Sequence, residues 1–111
     1  MLDELEFRDR ADEAMGRLQR ALESASDSFD FEVDRSQGAL AIEFEDPPAK
    51  FVVSPNSPVR QIWVSARVKS FKLDWEPERS EFVLTGDGRS LQQLIAGVVS
   101  EQLGEEIVLA G

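Results

Sequence analysis

Apolar positions near the N-terminus recur with the period of a helix. In the stretch "LEFRDRADEAMGRLQRALESA" they fall at i, i+4, i+7, i+8, i+11 and i+15, which places them on one stripe of an amphipathic helix. The stripe consists of Phe7, Ala11, Ala14, Met15, Leu18 and Leu22. We therefore expect a first helix over about residues 3–25.

After this helix the period of the apolar positions changes to two, which is typical of half-buried strands. Six short segments share that period: "FDFEVD", "ALAIEFE", "KFVVS", "VRQIWVSA", "FKLDW" and "SEFVLT". "RSQG" is expected to form a turn, and "DPP" at 46–48 and "SPNSP" at 54–58 to end strands, because proline has no N–H to donate to a sheet. Short turns between six strands predict an antiparallel meander.

A second helix is predicted in "RSLQQLIAGVVSEQLGEE", where Ser90 and Gln93 fit a capping box and Gly104 fits the residue after a helix end. Each helix has one apolar stripe and each strand one apolar face. We therefore expect a two-layer α+β sandwich, with both helices side by side on one face of the sheet. The apolar tail "IVLA" at 107–110 is expected to pack between the helices.

Trp63 falls on the polar side of its strand. Side chains alternate along a strand, so Ile62 and Val64 share one face while Gln61, Trp63 and Ser65 share the other. The opposite register would bury Gln61 and Ser65, which favours an exposed Trp63. An exposed tryptophan beside Arg and Gln has the composition of a protein-binding hot spot, although an exposed aromatic can also be without consequence.

The length of 111 residues predicts a single domain, residues 1–111. No apolar run approaches the roughly 20 residues of a membrane span, and the N-terminus "MLDELEFRDR" is acidic, unlike a signal peptide. We therefore expect a cytoplasmic protein. The chain has no Cys and no His, so thiolate and imidazole metal sites, thiol nucleophiles and histidine proton transfer are excluded, and carboxylates suited to hard cations remain.

The charge is unevenly distributed. The net charge is −10, which argues against nucleic acid and anionic membranes as partners. Residues 1–34 hold 11 acids and 4 bases, whereas residues 47–75 hold five bases and one acid. The acidic helix face can be ordinary solvated surface, a loose site for a hard cation or an anchor for a basic partner. No EF-hand spacing, no phosphate-binding glycine loop and no base for a serine nucleophile is found.

Several motifs resemble the frataxin family. These are the order helix, six strands, helix; the stretch from Pro58 to Ser65, "PVRQIWVS"; and "KLDW" at 72–75. "EFRDRADEAM" is similar to the start of the family's first helix, and "GRSLQQLI" at 88–95 to the start of its second. The likeness covers nearly the whole chain, and its Gln-Ile-Trp core is its most specific part.

The resemblance implies an accessory role in iron–sulfur cluster assembly, in which the protein binds a complex of cysteine desulfurase and scaffold protein. By position it implies a set of partner-binding residues, namely Asn56, Arg60, Gln61, Trp63 and Lys72. It also implies weak binding of ferrous or ferric iron by surface carboxylates, namely Asp12, Glu23, Asp27 and Asp30. Acids common in the family's first helix and strand are replaced here at Gln19, Arg20, Ser24, Ser26 and Ser28.

Two other functions remain open at this point. An acidic adaptor, similar to a secretion chaperone, would hold an unfolded client on its helices or at a dimer interface. An iron-oxidising enzyme is the only catalytic role that the resemblance suggests, and no catalytic residue is predicted. Capture of the desulfurase and the scaffold would distinguish the first function from the adaptor.

Overall fold

The structure, a computed structural model, describes residues 3–36, 38–45 and 48–109. Parts of the predicted turns and of the predicted apolar tail fall at Gln37, Asp46, Pro47 and Ala110, which lie outside the described residues.

The first helix, α1, spans Glu4–Ser26 and begins as its sequence predicts. The Asp3 carboxylate accepts a hydrogen bond from the backbone N–H of Glu6 and so satisfies one of the free donors at the helix start. The predicted stripe faces the core, except that Ala14 is only half-buried. The helix ends at Asp27, whose N–H donates to the carbonyl of Ala25.

Six strands follow in chain order and form one antiparallel meander, as predicted. Their bounds are β1 Glu32–Ser36, β2 Ala39–Glu45, β3 Pro48–Asn56, β4 Gln61–Ala66, β5 Lys69–Glu76 and β6 Glu81–Leu84. A short 3₁₀ turn at Ser57–Val59 connects β3 to β4. Each strand pairs with its sequence neighbours, so every connection between strands is a hairpin.

The strand boundaries differ from the prediction most clearly at the start of β1 and the end of β3. β1 begins at Glu32 rather than at Phe29, because the chain first bends, with the N–H of Phe31 donating to the carbonyl of Phe29. The expectation that proline ends the third strand early was wrong at Pro55, which pairs with Ile62 inside β3. Proline's fixed φ is compatible with an extended backbone, so the chain continues to Asn56 before it turns.

The second helix, α2, spans Leu91–Leu103 and has the predicted caps. The Ser90 hydroxyl accepts from the N–H of Gln93, and the Gln93 side chain accepts from the N–H of Ser90. Just before the helix, the backbone N–H of Arg89 donates to the Asp87 carboxylate and lowers the pKa of that group. Gly104 ends the helix with a φ of 70°, in the left-handed region that glycine adopts without strain.

Both helices cover the same face of the sheet, which confirms the predicted two-layer α+β sandwich. The buried strand side chains all lie on that face: Leu40, Ile42, Phe44, Phe51, Val53, Ile62, Val64, Ala66, Leu73 and Phe82. Phe7 of α1 meets the ring of Phe82 edge-on, with centroids 5.8 Å apart. Ile107 in the tail is buried in the same core, whereas Val108 is exposed.

None of the helices in the described part of the chain is long and apolar enough to span a membrane.

The capping box of α2 gives a first testable prediction. Ser90→Ala removes the acceptor for the N–H of Gln93, and we expect the free energy of unfolding to fall by about 1 kcal/mol. Chemical denaturation measures this change. Ser24→Ala, at an exposed position in the last turn of α1, is the control and should leave stability unchanged or slightly raised. An equal loss in both variants would contradict the capping role.

Candidate functional site

The sheet face turned away from the helices, which we call the open face, carries the candidate site. Its central positions lie on β4 and β5: Gln61, Trp63, Ser65, Ser70, Lys72 and Asp74. The hairpin register places Gln61 opposite Asp74, Trp63 opposite Lys72 and Ser65 opposite Ser70. Because side chains directly opposite each other in an antiparallel pair are close, these six form three cross-strand pairs.

Trp63 lies on the open face, as the strand alternation predicted. Its side chain is 37% exposed, whereas the neighbouring Ile62 and Val64 are buried in the core. The Lys72 ammonium lies over the indole ring, 5.0 Å from its centroid, within the range of a cation–π contact. The contact covers part of the ring and places a positive charge beside the exposed remainder.

Hydrogen bonds hold the indole from its other side. Trp63 Nε1 donates to Gln61 Oε1 at 2.9 Å, and Gln61 Nε2 donates to Asp74 Oδ1 at 3.0 Å. Thr85, just after β6, donates its hydroxyl to the second carboxylate oxygen of Asp74 at 2.5 Å. The sequence prediction of site residues included Gln61, Trp63 and Lys72 but missed Asp74 and Thr85.

Two other predicted partner-binding residues lie at the end of this face. Asn56 is the last residue of β3, is half-buried and pairs with Gln61 across the ladder. Arg60 adopts a φ of 55°, a left-handed conformation that is uncommon for a residue with a Cβ. Its guanidinium donates to the carbonyl of Ser57 at 2.6 Å, so the side chain is engaged with the 3₁₀ turn.

The open face becomes acidic towards β1. Glu32 of β1 lies directly opposite Glu43 of β2, and Glu43 lies opposite Lys50 of β3. Like charges directly opposite each other weaken a strand pair, so Lys50 offsets part of this repulsion. A partner that covers the whole open face therefore meets carboxylates at one side and the Trp63–Lys72 pair near its centre.

The predicted metal ligands are spread over α1 and the segment after it. Asp12 forms an ion pair with Arg35 at 2.7 Å, which connects α1 to β1. This carboxylate therefore already has a cationic partner within the protein. Asp12 and Glu23 are eleven residues apart on one helix, or about 16 Å along its axis, and cannot share a cation. Asp27 lies one turn beyond Glu23, and Asp30 lies in the bend before β1.

Across the ranges 3–36, 38–45 and 48–109, no three carboxylates form a group that could hold a metal ion. Glu23 and Asp27 are the two predicted ligands whose spacing brings them to the same side of the helix end. Two exposed carboxylates give a cation few ligands, whereas calcium, for example, takes six to eight oxygens.

Comparison with known proteins assigns the class to which this fold belongs. A sequence profile described as a frataxin-like domain matches residues 1–105. The frataxin of Psychromonas ingrahamii superposes with a TM-score of 0.85, covering 99% of this chain and all of that one at 17% identity, which shows the shared fold.

Closer relatives in sequence agree with that class. The iron–sulfur cluster assembly protein CyaY of Dechloromonas aromatica is 35% identical over 108 residues, which are 97% of this chain and 99% of that protein. The protein of the same name from Azotobacter vinelandii is 33% identical over 100 residues, 88% of this chain and 90% of the other. The chain therefore belongs to the frataxin family.

The exposure of Trp63 predicts how strongly it contributes to stability. Phe51→Ala should lower the free energy of unfolding by about 3–5 kcal/mol, because the Phe51 ring is completely buried. Trp63→Ala should cost less than half as much, because it leaves no cavity in the core. Urea unfolding of both variants measures the difference, and an equal cost would place the Trp63 ring in the core.

Proposed function

We propose that this chain is an accessory protein of iron–sulfur cluster assembly that docks on the complex of cysteine desulfurase and scaffold protein. Support for the pathway comes from the relatives named iron–sulfur cluster assembly protein, which match along nearly their whole length. Support for docking comes from the open face, and above all from one observation. An exposed tryptophan ring is held in place near the centre of a sheet face that no other part of the described chain covers.

The physical case for docking rests on what the Trp63 ring offers a partner. Tryptophan is among the residues that contribute most to protein interfaces, because its large ring loses much water-exposed surface when it is covered. Here the ring is already fixed by Gln61 and Lys72, so little side-chain entropy remains to be lost on binding. A suitable partner surface offers an apolar depression for the ring and a carboxylate within reach of Lys72.

The acidic part of the molecule suits a second contact. Residues 1–34 carry a net charge of −7, and carboxylates also lie at the β1–β2 side of the open face. A basic surface on the partner complex would be attracted to this region, which raises the association rate and orients the encounter. Burial of the Trp63 ring would then slow the dissociation of the complex.

Docking is tested by measuring affinity for the purified desulfurase–scaffold complex. Trp63→Ala should raise Kd by about 30-fold, which corresponds to about 2 kcal/mol. Val68→Ala is the matched control, because Val68 is 98% exposed in the β4–β5 turn and lies off the open face. Unchanged affinity in Trp63→Ala would contradict the proposed docking, and failure of the wild-type chain to bind the complex would favour the adaptor.

Iron binding by this chain is proposed to be weak and unselective. The four predicted carboxylates are exposed, and one of them is paired with Arg35. Attraction between solvated charges is screened over about 8 Å at physiological salt, so scattered carboxylates attract a cation weakly. Hard oxygen ligands without a fixed cage also accept several hard cations.

Anaerobic titration with ferrous iron, at low and at physiological salt, tests this proposal. We expect weak binding that decreases as salt is added, and a further loss in the double variant Glu23→Gln/Asp27→Asn. The double variant Glu105→Gln/Glu106→Gln removes the same charge from exposed positions after α2 and is the control. Tight binding that is insensitive to salt and to Glu23→Gln/Asp27→Asn would place the ligands elsewhere.

A further inference from the structure

A series of three hydrogen bonds runs across the open face from the turn after β6 to β4. Thr85 donates to Asp74, Gln61 donates to Asp74, and Trp63 donates to Gln61. The four residues in this series are Thr85, Asp74, Gln61 and Trp63, and we call them the open-face network. It connects the turn after β6 to the neighbouring strands β5 and β4 and ends at the exposed indole.

The direction of each hydrogen bond in the open-face network follows from which groups can donate and which can accept. A carboxylate accepts hydrogen bonds and does not donate them, so the amide nitrogen of Gln61 must face Asp74. An indole N–H donates and cannot accept, so the amide oxygen of Gln61 must face Trp63. Both ends require the same orientation of the Gln61 amide. Asp74 therefore determines which atom Gln61 presents to the indole.

The indole N–H of Trp63 is consequently used within the protein. A partner cannot take this hydrogen bond without breaking the bond to Gln61, which would leave the Gln61 oxygen without its donor. One side of the ring is already in contact with Lys72. The surface that remains for a partner is the uncovered part of the apolar ring.

We infer that Asp74 is a positioning residue of the open face: through Gln61 it holds the Trp63 indole so that a partner binds the ring and not its N–H. The inference rests on the proposed docking role. A tryptophan without this support would be free to change rotamer and would lose that freedom on binding. Immobilising one such side chain weakens binding by about 2- to 10-fold, and this is the effect expected when Asp74 is removed.

Four variants test the inference by their Kd for the desulfurase–scaffold complex: Trp63→Ala, Trp63→Phe, Asp74→Ala and Asp74→Asn. Trp63→Ala should bind about 30-fold more weakly, and Trp63→Phe, which keeps an apolar ring but has no N–H, about 5-fold. Asp74→Ala should lose about 2- to 10-fold. Asp74→Asn should bind almost as wild type, because its amide can accept from Gln61 and donate to Thr85. Val68→Ala, in the β4–β5 turn and off the open face, is the control and should bind as wild type.

A second measurement reports the position of the indole directly. In ¹⁵N-labelled protein the indole N–H of Trp63 should exchange with water faster in Asp74→Ala than in wild type and in Asp74→Asn. The indole of Trp75, the other tryptophan of the chain, provides an internal reference. Thr85→Val removes one support of Asp74 and should give a smaller change of the same sign, which provides a second variant if Asp74→Ala does not fold.

Different failures have different meanings. Unchanged affinity in Trp63→Ala would overturn the docking proposal and this inference with it. A loss in Trp63→Ala, with unchanged indole exchange and affinity in Asp74→Ala, would overturn the positioning role alone. Weak binding by Asp74→Asn would mean that the partner recognises the charge of Asp74 itself. A loss in Trp63→Phe as large as in Trp63→Ala would show that the partner needs the N–H.

Discussion

Burial of one face of the meander beneath both helices is the constraint on which the other features depend. Because side chains alternate along a strand, packing Ile62 and Val64 into the core forces Trp63 to the opposite side. A shift of one residue would expose the aliphatic side chains of β4 and bury its polar ones. The hydrophobic core thus determines where the exposed tryptophan lies, although the tryptophan contributes little to that core.

The sequence was sufficient for the fold because periodicity, helix caps and turns agree along the chain. It was less reliable where tertiary contacts override local rules. Proline usually interrupts a sheet ladder, yet Pro55 lies within a strand. The alternating pattern "FDFEVD" predicted a strand from Phe29, but the chain bends before β1, and Phe31 is buried in the core without belonging to a strand. Patterns of period two record which side chains are buried, not which backbone groups are paired.

For the candidate site, the sequence predicted the exposed residues but not their connections. Asp74 lies at a polar position of the predicted segment "FKLDW", and its contact with Gln61 follows only from the exact register of the β4–β5 hairpin. The β4–β5 turn consists of Arg67 and Val68, so Ala66 pairs with Lys69. Assigning this turn from the sequence would also have given the pairs Trp63–Lys72 and Gln61–Asp74, because the register of a hairpin follows from its turn. Arg60 was beyond such reasoning, because its left-handed backbone turns the side chain towards the preceding carbonyls.

The two outer strands of the meander are the places where the sheet could pair with a second copy of the chain. A sheet that is not closed into a barrel has edges whose free N–H and C=O groups can pair with another copy. β1 carries Glu32 and Asp34 on one side and Arg35 on the other, and an antiparallel pair of two β1 strands centred on Asp34 would oppose identical charges. β6, with four residues, offers only a short template. Charge at one edge and brevity at the other therefore both oppose edge-to-edge pairing between copies of the chain.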